Sequence, residues 1–291
     1  MSTVLRYAVF GHPVAHSLSP RLHALFAAQT GIALEYTAVD AAPDGFERAI
    51  REFFARGGRG ANVTLPHKAA AFALADVHTP TAQRLGVANL LTRLPDGRIE
   101  ADSNDGAGML VDVRVRHGFD PRGRDVLLLG AGGAARAAAF ALLDAGARNL
   151  TIANRTHERA QALAAALPAP GRLRTVEWAA LGQCGPFDLI VNATSAGVQH
   201  AALALPRSLA GTHTFAYDLS YGPAARPFVE WAQAAGCATA SDGLGMLVET
   251  AAASFERWHG VRPDVDAALQ ALRDLAHPLA ASPRPPSFRR G

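Results

Sequence analysis

Lysine is nearly absent from this chain. Of its 28 basic residues 27 are arginine and one, Lys68, is lysine, so wherever the sequence needs only fixed positive charge it uses arginine. A guanidinium stays charged at any physiological pH, whereas an ammonium can yield its proton when its surroundings favour the neutral amine. The lone lysine is therefore a candidate acid/base residue, set against the plainer reading of one stray surface lysine. Cysteine is almost as scarce. Cys184 and Cys237 stand alone without a C-x-x-C pair, which excludes a disulfide framework and predicts free thiols in a reducing compartment, the cytoplasm. Long apolar runs are missing too. The most apolar helical segment, "AAAFALLDAGA", is broken by Asp144 and falls short of the ~20 residues a membrane span requires. "MSTVLRYAVFG" lacks the basic, apolar and small-residue order of a secretory leader, so no membrane partner is expected. The net charge of +3 is matched by Arg284, Arg289 and Arg290 alone. The rest of the chain balances, and no nucleic-acid footprint is expected. Those arginines lie in a proline-rich stretch, residues 277–291, that reads as a disordered tail.

What is present is a globular composition, 49% apolar and 18% charged over 291 residues, a length that suits two domains of roughly 150 residues each. Short extended runs alternate with longer helical ones: "RYAVFG" with "SPRLHALFAAQTG", then "LEYTAVD" with "GFERAIREFFARGG", whose Phe46, Ile50, Phe53 and Phe54 fall on one helical face, then "GANVTLP". This alternation predicts an α/β fold with mostly parallel sheets. In "LLTRLPDGRIEAD", Asp96-Gly97 between two extended runs predicts an antiparallel hairpin ending the first sheet. The pattern restarts with "DVLLLGAGGAARAAAFALLDAGARNLTIANRT", and "FDLIVNAT" and "THTFAYDLS" are further strands. The last strong helix, "GLGMLVETAAASFERWHG", is expected to return to the first domain.

Gly130-Ala131-Gly132-Gly133-Ala134-Ala135 fits G-x-G-x-x-A between a strand and a helix. There the glycines let the backbone approach a pyrophosphate seated on the free amides of the helix N-terminus. At the end of the next strand an NAD-binding site would carry an acid for the ribose hydroxyls. This chain has Asn154-Arg155-Thr156, and an arginine there suits a 2′-phosphate, so NADP is the expected cofactor. Thr156 also reads as a helix N-cap.

Lys68 follows Asn62 and Thr64 past a glycine-led strand, at the carboxyl end where ligands of open α/β sheets collect. Asp105, after the hairpin, could supply a carboxylate partner or cap a helix. Ser19-Pro20 in "VFGHPVAHSLSP" reads as a helix cap and first helical proline, which leaves Ser17 without work. His12 and His16 are four apart, but Pro13 prevents a shared helical face, and no metal site is expected.

The segments "FGHPVAHSLSP", "GANVTLPHK", "DGAG", "LLGAGGAARA", "NRTHERA", "VNATSAG", "YDLSYGP" and "DGLGMLV", taken in order, resemble the shikimate dehydrogenase family over nearly the whole chain apart from the tail. The resemblance implies a substrate-binding catalytic domain over 1–105, a Rossmann NADP-binding domain over 106–240, C-terminal helices over 241–276 returning to the first domain, and a cleft between the domains. It implies NADPH-dependent, reversible reduction of 3-dehydroshikimate to shikimate, a cyclic hydroxy carboxylate, by a monomer or homodimer. Carried over by position, Lys68 and Asp105 are the catalytic pair. Ser17 and Ser19 hold the substrate carboxylate, and Thr64, Asn89, Tyr221 and Thr250 are further substrate positions. Leu219, Gly243 and Met246 touch the nicotinamide half of the cofactor. The chain departs from the family pattern at Leu90, Ser103, Asn104 and Thr250, the last replacing a glutamine. These changes leave open a paralogue acting on quinate, an aminoshikimate or another ring carboxylate, and, from another class, a non-catalytic NADP-binding regulator.

Overall fold

The computed structural model describes residues 4–197 and 204–276; the tail expected over 277–291 lies outside them. In the first part of the chain β1 (Leu5–Gly11), β2 (Leu34–Asp40) and β3 (Gly58–Val63) run parallel, joined by α1 (Ser19–Thr30) and α2 (Phe46–Ala55). There follow α3 (Lys68–Leu74), β4 (Val77–His78), α4 (Pro80–Leu85), β5 (Leu90–Arg93) and β6 (Ile99–Asp102), and the six strands form one sheet in the order β2-β1-β3-β5-β6-β4. The hairpin forms where Asp96-Gly97 predicted it, β5 pairing antiparallel with both β3 and β6. It does not end the sheet. Outside β6 lies the two-residue β4, parallel to it, a very short outer strand that offers little free edge to another chain. On α2, Phe46, Ile50 and Phe54 are buried, while Phe53 is half-buried, lying over Gly58 and edge-on to Phe10 at 5.5 Å.

After β6, α5 (Asp105–Val111) runs into a π-helical turn, Asp112–Arg116. The second sheet contains β7 (Asp125–Leu129), β8 (Asn149–Asn154), β9 (Leu173–Glu177), β10 (Leu189–Asn192), β11 (Phe215–Asp218) and β12 (Thr239–Ser241). All six are parallel and lie in the order β12-β11-β10-β7-β8-β9. The helices α6 (Gly133–Asp144), α7 (His157–Ala165) and α8 (Arg226–Ala234) belong to its crossovers, and α9 (Leu244–His259) and α10 (Val265–Ala276) end the described chain. The strands read as continuous apolar runs because both sheet faces are covered: the four residues of β10 and the last four of β7 are all buried. Strand order reverses between β7 and β10, the topological switch point where doubly wound sheets open a crevice for ligands.

Helix α9 crosses back to the first sheet. Its Val248, Ala252 and Phe255 pack with Leu22 and Phe26 of α1 and with Leu269 and Leu272 of α10. The two sheets are also bound by a shared core, in which Leu85, Val87, Met109 and Val113 join the side chains beneath β7, β8 and α6. On the surface Arg84 of α4 donates to both carboxylate oxygens of Asp144 on α6, each bond 2.6 Å long. No described helix is long and apolar enough to cross a membrane.

Phe255 is fully buried at the meeting of α1, α9 and α10. Phe255→Ala is expected to lower unfolding stability by about 3–5 kcal/mol, read as a fall in the denaturant midpoint at constant slope.

Candidate active site

Lys68 opens α3, and its carbonyl is fixed by the Ala88 N–H at 2.9 Å. Its Nζ donates to Asp105 Oδ2 in an ion pair whose side chains are only 13% and 9% exposed. Asn89 Nδ2 donates to the other oxygen, Asp105 Oδ1, at 2.7 Å. Asp105 does not cap α5. Asn104 takes the capping position and Asp105 is the first helical residue, where its charge suits the helix N-terminus while its oxygens turn to Lys68 and Asn89.

The pair faces a cavity of about 190 Å³ lined also by Ser17, Ser19, Thr64, Asn89, Tyr221 and Thr250, with Asn62 and Leu219. The six residues expected to contact substrate, drawn from five separate stretches of sequence, thus meet around one space. At the α1 end Ser19 is not the cap that the sequence suggested. The helix begins at Ser19 with Leu18 in the capping position, and no side chain caps it there. Instead Ser17 Oγ accepts the Ser19 N–H at 3.3 Å, because with Leu18 as the cap the Ser19 amide lies in the first turn, among those without a partner inside the helix. The second domain reaches this loop through Tyr221, whose Oη accepts the Leu18 N–H at 3.4 Å. Burial raises the Tyr221 phenol above its ordinary value, so it remains a neutral donor.

Thr250 lines the cavity with its proton already committed. Its Oγ1 donates to the carbonyls of Met246 (2.9 Å) and Leu247 (3.0 Å), the usual fate of a short hydroxyl inside a helix. Leu90, Ser103 and Asn104 do not line the cavity. Leu90 is buried in the sheet, Ser103 is buried with its hydroxyl unpartnered, and Asn104 bonds Asn89 and α9. Sequence reasoning gave Asn62 no role beyond its place near the strand end and passed over Ser254. Asn62 Nδ2 donates to Ser254 Oγ at 2.8 Å. The glycine-led strand and the polar residue within "NVT" were the only sequence signals for the first, and a serine among the alanines of α9 gave none for the second.

The glycine turn joins β7 to α6. Gly130 has φ +110°, and a methyl group there would lie 2.7 Å from the Ala193 carbonyl oxygen, so only glycine fits. Gly132 caps α6 without a side-chain bond, which leaves the first-turn amides of Gly133 and Ala134, beyond Ala131, available to an anion. Gly133 abuts the candidate acid: a methyl there would meet Lys68 Cβ at 3.2 Å and Cδ at 3.3 Å. At the end of β8, Asn154 Nδ2 donates to the Thr156 carbonyl at 2.8 Å. Thr156 holds the capping position of α7 but its hydroxyl makes no capping bond, and Arg155 and Thr156 are exposed. Arg159, in the first turn of α7, is also exposed and was not singled out by the sequence reading. An amide cradle with an exposed arginine, a free hydroxyl and no acid at the strand end fits a dinucleotide bearing a 2′-phosphate. Leu219 lines the substrate cavity; Gly243 packs beneath the Leu219 carbonyl and Met246 is buried in the shared core, so neither of these two lines it. Among the described residues no three His, Cys, Asp or Glu side chains are grouped to hold a metal ion. His12 bonds Asp40 at 2.6 Å.

A Rossmann-ordered sheet with a glycine turn, set across a cleft from a second α/β domain that presents an ammonium–carboxylate pair, is the architecture of a two-domain, dinucleotide-dependent oxidoreductase. The chain belongs to the shikimate dehydrogenase family. Residues 9–91 match the shikimate dehydrogenase substrate binding domain, 115–202 the shikimate / quinate 5-dehydrogenase domain and 243–273 the shikimate 5′-dehydrogenase C-terminal domain. A shikimate dehydrogenase (NADP(+)) of Xanthomonas campestris pv. campestris is 56% identical over 272 residues, 93% of this chain and 96% of the relative. Among solved structures, an Ael1 enzyme from Pseudomonas putida is 43% identical with a TM-score of 0.82, over 92% of this chain and 98% of that one. A shikimate 5-dehydrogenase from Thermus thermophilus, in complex with NADP(H) and shikimate, is 38% identical with a TM-score of 0.82, over 93% of this chain and 99% of that one.

One buried carboxylate has a perturbed titration. Asp218, at the end of β11, accepts the Ser220 N–H and an Asn192 Nδ2 hydrogen, both at 2.7 Å, yet burial outweighs these bonds and raises its pKa to about 7. Because the folded value lies above the unfolded one, the stability it contributes is complete in acid and is lost as pH rises to about 7. The stability of the wild type relative to Asp218→Asn is expected to fall between about pH 4 and 7 and to level off above. Denaturation midpoints of both proteins across that range check this; parallel pH profiles would contradict it.

Proposed function

We propose that this protein catalyses the NADPH-dependent, reversible reduction of 3-dehydroshikimate to shikimate, a step of chorismate and aromatic amino-acid biosynthesis, with Lys68 and Asp105 as the catalytic pair. The observation that carries this reading is the contact of Lys68 with Gly133, which sets the one lysine of the chain between the substrate cavity and the dinucleotide turn. The ligands named for the Thermus thermophilus structure, NADP(H) and shikimate, support it. In this reading residues 1–105 form the substrate domain, 106–240 the NADP domain and 241–276 the returning helices.

When bound, the reduced nicotinamide supplies hydride to the ring carbonyl carbon. Lys68 Nζ donates the proton that the carbonyl oxygen takes up, and Asp105 holds the ammonium in place and offsets its charge. Ser17, Ser19 and the Tyr221 hydroxyl hold the substrate carboxylate, while Thr64 and Asn89 face the ring hydroxyls. The amides of Ala131 to Ala134 hold the pyrophosphate, with Gly130 making the turn, Asn154, Arg155 and Thr156 the 2′-phosphate, and Leu219, Gly243 and Met246 border the nicotinamide. The enzyme acts in the cytoplasm, where its two cysteines stay reduced, as a monomer or homodimer. A second reading, a paralogue preferring another ring carboxylate such as quinate, is favoured by one observation: the committed Thr250 hydroxyl leaves α9 without a free donor there.

Following reduced-cofactor absorbance with shikimate and with quinate, each with NADP and NAD, separates the readings. Turnover of shikimate with NADP, falling by about 10³-fold or more in Lys68→Ala, is expected; turnover of quinate alone would install the paralogue. No turnover on either acid, with tight NADPH binding, would leave another ring acid as substrate or a non-catalytic regulator. Arg155→Asp is expected to weaken NADP binding at least about tenfold more than NAD binding, since it replaces a phosphate partner by a like charge. Titration of both cofactors checks this, and equal losses would remove Arg155 from the phosphate site.

A further inference from the structure

Ser254 has no exposed surface and lies outside the cavity lining, yet every hydrogen-bonding position of its hydroxyl is used. Its Oγ donates to the Thr250 carbonyl at 2.9 Å and accepts from Asn62 Nδ2 at 2.8 Å and from Asn104 Nδ2 at 3.1 Å. One donor and two acceptors is the full capacity of a hydroxyl. Three elements therefore meet at one oxygen: α9, the end of β3 and the residue before α5.

From Ser254 a continuous path leads to the reacting groups. Asn104 also donates to the Thr250 carbonyl at 3.1 Å, so its amide hydrogens are held by α9. Its Oδ1 accepts from Asn89 Nδ2 at 2.7 Å and its N–H donates to Asn89 Oδ1 at 2.9 Å. The Asn89 amide is thereby clamped at both ends, and its remaining hydrogen points to Asp105 Oδ1. Asp105 Oδ2 is the atom that Lys68 meets. On the other branch Tyr36 Oη donates to Asn62 Oδ1 at 2.8 Å, and burial raises that phenol well above its ordinary value, so it stays a donor.

We propose that Ser254 is a positioning residue, the junction through which α9 fixes Asn62 and Asn104 and, by way of Asn89, the Asp105 carboxylate that faces Lys68. This rests on Lys68 and Asp105 being the pair that handles the proton. A positioned carboxylate matters most when the proton moves, and displacement by a fraction of an ångström costs rate more than affinity. Removing the hydroxyl leaves two buried amide groups each short of an acceptor, and they relax toward other partners. Alanine keeps α9 helical, so the change is confined to the junction.

The single lysine supplies a readout independent of turnover. Protein labelled with ¹³C-lysine carries one lysine Cε–Hε signal, that of Lys68. In Ser254→Ala the kcat for shikimate oxidation is expected to fall about tenfold, with KM and NADPH affinity within about twofold, and the lysine signal to shift or broaden. Asn104→Ala cuts the same path and is expected to do the same, and the double variant to be no worse than the poorer single one. Ser254→Thr, which keeps the hydroxyl, is expected to restore the lysine signal. An unmoved lysine signal with unchanged kcat, a loss confined to KM, or losses that multiply in the double variant would each overturn the proposal. If the wild type fails to turn over shikimate, the assigned reaction falls, and the lysine signals of the variants decide the positioning role.

Discussion

An ammonium and a carboxylate enclosed together are the constraint on which the rest of this structure depends. Withdrawing each charge from water costs several kcal/mol, and their attraction offsets this only when the remaining lone pairs find hydrogen bonds. Asp105 meets the condition with one oxygen on Lys68 and the other on Asn89. Satisfying Asn89 then requires Asn104, and satisfying Asn104 requires α9, which comes from the far end of the chain. The return of the C-terminal helix to the first sheet is thus a polar requirement of the site as well as an apolar one of the core.

The same helix settles how the substrate wall is finished. A glutamine at the Thr250 position would extend a polar arm, whereas threonine folds its hydroxyl back on the helix and leaves the reach across this region to Asn104 from the opposite element. Of the four family departures only Thr250 borders the cavity; the others change what stands behind the wall, which governs rigidity before it governs recognition.

The architecture was legible where local rules and global topology agree. Alternating extended and helical runs, the Asp96-Gly97 turn and the glycine turn indicated the fold class, the hairpin and the nucleotide-binding unit, and Lys68 announced itself by the rarity of its type. Other features were hidden for identifiable reasons. The two residues of β4 are too few to show an alternation. The shift of the capping position from Ser19 to Leu18 depends on where the first helical turn closes, a matter of one residue that sequence signals for helix starts do not fix. For Asp105 the sequence offered both a cap and a carboxylate partner, and it is Asn104, one residue earlier, that takes the capping position. Ser254 could not be found at all, since its partners Asn62 and Asn104 lie 192 and 150 residues away and a serine on a buried helix face otherwise resembles the alanines around it.

The core shared by the two sheets bears on modularity. Leu85 and Val87 follow the first sheet's α3 and β4, yet with Met109 and Val113 they complete the apolar layer beneath β7, β8 and α6. A nucleotide-binding half excised at the start of β7 would carry away a face with those side chains missing. The Rossmann half of this protein is therefore not a cassette: grafting it onto another substrate domain would require α5 and the α4–β5 connection to travel with it, or a replacement helix cut to the same relief.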